Sequence, residues 1–179
     1  MVQRFVSVGA VLASLALPVL AAEPMVETLF AHKHWRVDMV GYDDGTLACV
    51  GQVSDDDGSE SFSVGTFSTG VMRLQFYSSD WQFAGEETAD LEVQIDRRAP
   101  WTLTAASLVG NSVLFDLPLD EDSARFLMEV SQGNRLYLRN GSGEDVQNYS
   151  LAGSKASIGA MFECGDVITA PQDDGNPFN

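Results

Sequence analysis

The chain has 179 residues, with 26 acids against 10 bases and a formal net charge of −16 at pH 7. An apolar fraction of 45% is enough for one packed domain. So large an acidic excess excludes sequence-independent binding to nucleic acid or to anionic lipid, because both need a basic face.

Residues 1–22 read as an export signal. Arg4 gives a positive start, 5–20 is an apolar stretch broken by Pro18, and Ala21 and Ala22 offer small residues for cleavage before Glu23. The stretch is shorter than the roughly 20 residues of a comfortable transmembrane helix. Its removal takes away Arg4 alone, so 9 bases would remain against 26 acids, a net −17. The mature product is expected in the periplasm or secreted, without a membrane span. It is expected to hold one domain over 23–165 and a disordered tail over 166–179, where Pro171, Asp173, Asp174, Gly175 and Pro177 cluster.

Strand signals dominate the domain. Residues 32–40 carry Trp35, Val37 and Met39 at period two, and 41–45 is a turn rich in Asp and Gly. Strands are predicted over 46–53, 61–67, 71–77, 88–96, 101–105 and 112–115. The segment 88–96 is the clearest, with Leu91, Val93 and Ile95 alternating against Glu92, Gln94 and Asp96. Between 55 and 60 lies an acidic connection. Residues 120–132 then show helical spacing, with Ala124, Leu127 and Met128 as the apolar stripe, acids at the start and Gly133 at the end. Strands over 135–139 and 146–151 follow. Ser154 is placed to cap a small-residue helix over 155–163 that ends at Cys164. The fold class expected is mainly β, an antiparallel β-sandwich or barrel with two late helices.

Cys49 and Cys164 are the only cysteines. In an exported chain they are expected to form one disulfide, tying the start of the domain to its end. His32 and His34, at period two with Asp38 further along, offer a candidate metal set, set against the plainer reading of a surface pair. Asp55, Asp56, Asp57 and Glu60 could meet a hard cation or a cationic partner, but the calcium-loop order is not met and a solvated turn is the simpler reading. Trp81 could join an interaction surface or the core, while Trp35 and Trp101 are expected in the core. No nucleophile elbow, zinc-protease motif or phosphate-binding glycine loop occurs, and no cofactor is expected.

An export signal, the strand Trp35-Arg36-Val37, an early cysteine, and the closing run Tyr149-Ser150-Leu151-Ala152-Gly153-Ser154 before a small-residue helix ending in Cys164 form a pattern over most of the mature chain. It resembles small exported proteins of alphaproteobacteria and is distantly similar to the invasion-associated locus B family. The resemblance implies a periplasmic or secreted β-rich domain with no known catalytic residues.

The leading functional expectation is a non-enzymatic binding or interaction module whose acidic surface steers a cationic protein. The same acidity could instead reflect a saline habitat. Two alternatives stand beside it: an inhibitor of a cationic hydrolase such as lysozyme, presenting residues 55–60 to the cleft, and a metal-binding protein using His32, His34 and Asp38. Oligomeric state is not legible.

Overall fold

Alternation of apolar and polar residues gives each strand one face for the core and one for solvent. The computed structural model describes residues 24–170. In chain order these form β1 (Met25–His32), β2 (Trp35–Gly41), β3 (Leu47–Ser54), β4 (Glu60–Phe67), β5 (Met72–Ser78), β6 (Phe83–Ile95), β7 (Trp101–Gly110), β8 (Ser112–Leu117), α1 (Glu121–Gln132), β9 (Arg135–Asn140), β10 (Asp145–Ser150) and α2 (Ser154–Thr169). The strands join one antiparallel sheet in the order β1-β2-β3-β4-β5-β8-β7-β6-β9-β10. The expected export signal over 1–22 lies outside the described residues, as does 171–179 of the expected tail.

The sheet is mainly β as expected, but it is rolled and not closed into a barrel. Its two halves face each other across the core. The Tyr149 ring of β10 lies 6.0 Å from Phe62 of β4 and 6.4 Å from Phe76 of β5. Trp35 Nε1 donates to the Ser150 carbonyl at 3.0 Å, and Gln147 Nε2 donates to the Tyr77 carbonyl at 3.1 Å. These contacts come from side chains, so β1 and β10 remain unpaired with each other. Between the halves are packed Trp35, Val37, Phe62, Val64, Leu74, Phe76, Val93, Ile95, Leu136 and Leu138, all essentially without solvent exposure.

β6 and β7 are longer than expected, beginning at Phe83 and running to Gly110, and three further segments depart from the sequence reading. The run expected over 32–40 is split by a hairpin turn in which Lys33 takes φ 56°, and β1 precedes it with mostly exposed side chains. An edge strand of this kind lacks the half-buried alternation that marks the others. In α1 the buried stripe is Ser123, Phe126, Leu127 and Val130, so Met128, expected in the core, is exposed. Asp120 caps this helix, accepting from Ser123 N at 2.9 Å.

The third departure is α2. Ser154 was placed to cap it, yet Gly153 occupies the N-cap position in the left-handed region, with φ 110°. A Cβ there would lie 2.4 Å from the His32 carbonyl oxygen, so only glycine fits. Ser154 is freed to donate its hydroxyl to the Val130 carbonyl at 2.8 Å, stitching α2 to α1. The helix does not end at Cys164. Ile158, Met161, Cys164 and Gly165 are buried at helical spacing, and Ile168 packs on the same core, which carries α2 to Thr169 through the start of the expected tail. The disulfide expected between Cys49 and Cys164 is present, its Cα atoms 6.0 Å apart and its ends 115 positions apart in sequence. It pins α2 across β3.

Candidate functional site

α2 lies over the face of β1 to β4, α1 packs against α2 and Trp101 of β7, and their packing leaves an apolar cleft. β8 ends at Leu117, and Pro118 and Leu119 carry the chain out before Asp120 starts α1. The stripe that α1 buries points at the sheet, so Met128 and Leu119 are left facing outward. Together with Met72 of β5, Leu127 of α1, and Ile158 and Phe162 of α2, they line a cleft of about 480 Å³. Leu119 is 81% exposed, Met128 54% and Phe162 39%, which concentrates large apolar side chains at the rim. Exposed apolar side chains gathered around a concave surface mark a binding site more often than scattered ones do. Asp120 lines the same cleft, and Asp122 lines the adjoining hollow on the other side of the start of α1. A carboxylate therefore stands at the margin of an apolar floor.

The acidic residues singled out in the sequence lie at the opposite end of the sheet. Asp55 closes its own turn, accepting from Ser59 Oγ at 2.7 Å and from Glu60 N at 3.0 Å, while Asp57 accepts from Ser59 N at 2.9 Å. That backbone bond from Ser59, helped by its hydroxyl, holds the Asp57 carboxyl below the usual carboxylate range. Asp56 is exposed within the turn. Ser79 N donates to the Ser59 carbonyl at 2.8 Å, which sets this turn beside the β5–β6 connection carrying Trp81. The structure thus brings Asp55, Asp56, Asp57 and Glu60 near Trp81. The Trp81 indole is half-buried, 5.7 Å from the Phe83 ring, and its carbonyl accepts from Asn111.

His32, His34 and Asp38 are not brought together. His32 registers with Trp35, whose side chain is in the core; His34 lies in the hairpin turn. Asp38 stands on the other face of β2. It is 4% exposed and is occupied by Thr28 Oγ1 at 2.6 Å and Arg36 Nε at 2.8 Å. Among the described residues no three His, Cys, Asp or Glu side chains gather into a group that could hold a metal ion, and both cysteines are in the disulfide. Trp35 is buried as expected. Trp101 is half-buried: it meets Phe126 edge-on at 5.7 Å, donates Nε1 to Glu129 at 3.0 Å, and lies under Arg125 at 4.6 Å.

Sequence reasoning missed the cleft. Its faint signal is Met128 and Leu119, two large apolar residues that fall off the buried stripe once Phe126 and Val130 fix the phase of α1.

The fold and cleft together define a mainly β domain with two late helices packed against its sheet and an apolar surface between them. In fold the chain is distantly similar to invasion associated protein B from Bartonella henselae, a crystal structure matched with a TM-score of 0.49 at 14% identity over 78% of this chain and 97% of that one. No family model matches the sequence, and no curated protein matches it. Among the described residues no helix is long and apolar enough to cross a membrane.

Proposed function

We propose that this protein is an exported, non-enzymatic binding module that takes a cationic amphipathic protein segment into the cleft between α1 and α2. The observation that carries the reading is the apolar rim of Leu119, Met128 and Phe162 beside Asp120. An amphipathic segment would lay its apolar side chains over Met72, Leu127 and Ile158 and turn its cations toward Asp120. The excess of acids over the whole chain speeds encounter with such a partner. Export is supported by the Cys49–Cys164 disulfide, a linkage that persists in oxidising compartments, and by the N-terminal signal pattern.

The test is fluorescence anisotropy with a labelled synthetic peptide of leucine and lysine at helical spacing. Leu119→Lys removes an apolar contact worth about 1.5–3 kcal/mol when buried and adds a repelling charge, so affinity falls at least roughly tenfold. Leu119 is 81% exposed, so the unfolding midpoint stays in place. Unchanged affinity in Leu119→Lys, or equal binding of a leucine and glutamate peptide that Leu119→Lys weakens to the same extent, refutes the reading.

A further inference from the structure

The edge strand β1 presents a second surface, at one end of which both lysines of the chain lie. Among the described residues its ladder is made to β2 alone, so the backbone groups on its outer side have no strand partner there. The other sheet edge differs, because the Trp35 indole and the Gln147 and Tyr149 side chains tie β10 to the facing half. Met25, Val26 and Leu29 of β1 are 78%, 57% and 46% exposed. A long edge with exposed apolar side chains is a template for strand addition.

Beside this edge runs a groove of about 620 Å³ between β1 and α2. Phe30 and His32 form its strand wall, Gly159 and Ala160 its helix wall, and Lys33 and Lys155 its end. Those are the only two lysines in the chain, and the fold brings both to one groove. The ion pairs found among the described residues are all made by arginines, so neither lysine is held by a carboxylate there. Glu163 also lines the groove, two turns beyond Lys155 and roughly 12 Å along the helix. Charges more than about 8 Å away are largely screened at physiological salt, so Glu163 does not neutralise Lys155.

We propose that this groove binds an extended, carboxylate-bearing peptide segment that adds as a strand to the free edge of β1 and sets its carboxylates against Lys33 and Lys155. Main-chain hydrogen bonds to β1 hold the segment, and alternate side chains fall toward Gly159 and Ala160, where small residues leave room. The site is separate from the cleft between the helices and stands or falls independently of it.

Anisotropy with a labelled peptide of alternating valine and glutamate tests the proposal, with the same peptide carrying glutamine for glutamate as control. The glutamate peptide binds, and the glutamine peptide binds roughly tenfold more weakly, as does the glutamate peptide to the Lys33→Ala, Lys155→Ala double variant. Gly159→Leu fills the groove and abolishes binding. Its Cβ would meet nothing within 4 Å, so the unfolding midpoint is retained or rises. On binding, amide exchange slows in β1 and not in β10. No binding of the glutamate peptide, equal binding of the control, unaltered affinity in both variants, or protection absent from β1 overturns the proposal.

Discussion

Replacing Cys49 and Cys164 together by alanine releases the one covalent tie between the early strands and the last helix. With the two cysteines 115 positions apart, the chain-entropy relation assigns the closed loop about 4.8 kcal/mol at 25 °C. Cys49 is fully buried and Cys164 nearly so, and the lost sulfur packing adds about 1 kcal/mol. The native fold has other anchors for α2. Ser154 bonds to Val130, and Ile158 and Met161 stay in the core, so the variant loses stability without losing its fold. Urea unfolding at 25 °C, followed by tryptophan fluorescence, is therefore expected to give a free energy about 4–6 kcal/mol below that of the oxidised parent. Its thermal midpoint falls by roughly 10–20 °C. Reduction of the parent gives nearly the same loss. A decrease below about 1 kcal/mol would refute the reasoning, because the loop would then already be held in the unfolded state or the bond would not constrain it.

Gly153→Ala forces a Cβ against the His32 carbonyl at a left-handed φ, and is expected to cost about 2–4 kcal/mol in urea unfolding. A loss within experimental error would contradict the left-handed cap. Tyr149 supplies a pH test. Burial, with help from the charges of Glu60 and Asp55, raises its phenol well above the ordinary tyrosine value of about 10. The unfolded chain then releases this proton before the folded one. Tyr149 thus contributes stability that is complete below about pH 10 and lost as pH climbs above it. Tyr149→Phe, which loses the bond to Gln147 Oε1 at 2.6 Å, should be less stable at neutral pH by about 1 kcal/mol and flatter in the alkaline limb. Parallel alkaline limbs would count against the buried phenol.

What the sequence disclosed follows from how strongly each segment was constrained. Segment 88–96 alternates without a break because one of its faces packs in the core and the other does not, so β6 could be read there. Its first residues, from Phe83, could not, since none of the side chains before Leu91 is fully buried and the register shifts between Phe83 and Glu87 and again between Ala89 and Leu91. β1 escaped notice because an edge strand with both faces largely exposed carries no periodic signal. The disulfide was legible from the cysteine count and the expected export signal together. The cleft was not, because it is made by residues from β5, α1 and α2 that only tertiary packing brings together. Ser154 misled for a related reason: serine before a helical run suits a cap, but the backbone of His32 comes too close for any residue except Gly153 at that point.

The five methionines beyond the expected export signal allow the binding account to be tested at single sites. Met72 and Met128 line the cleft between the helices, whereas Met25 lies on the edge strand and Met161 in the core. Titration of protein carrying ¹³C-labelled methionine methyls with the leucine and lysine peptide should shift the Met72 and Met128 resonances saturably and leave Met25 in place. Shifts at Met25 with Met72 and Met128 unmoved, or no saturable shift at either, would contradict the account.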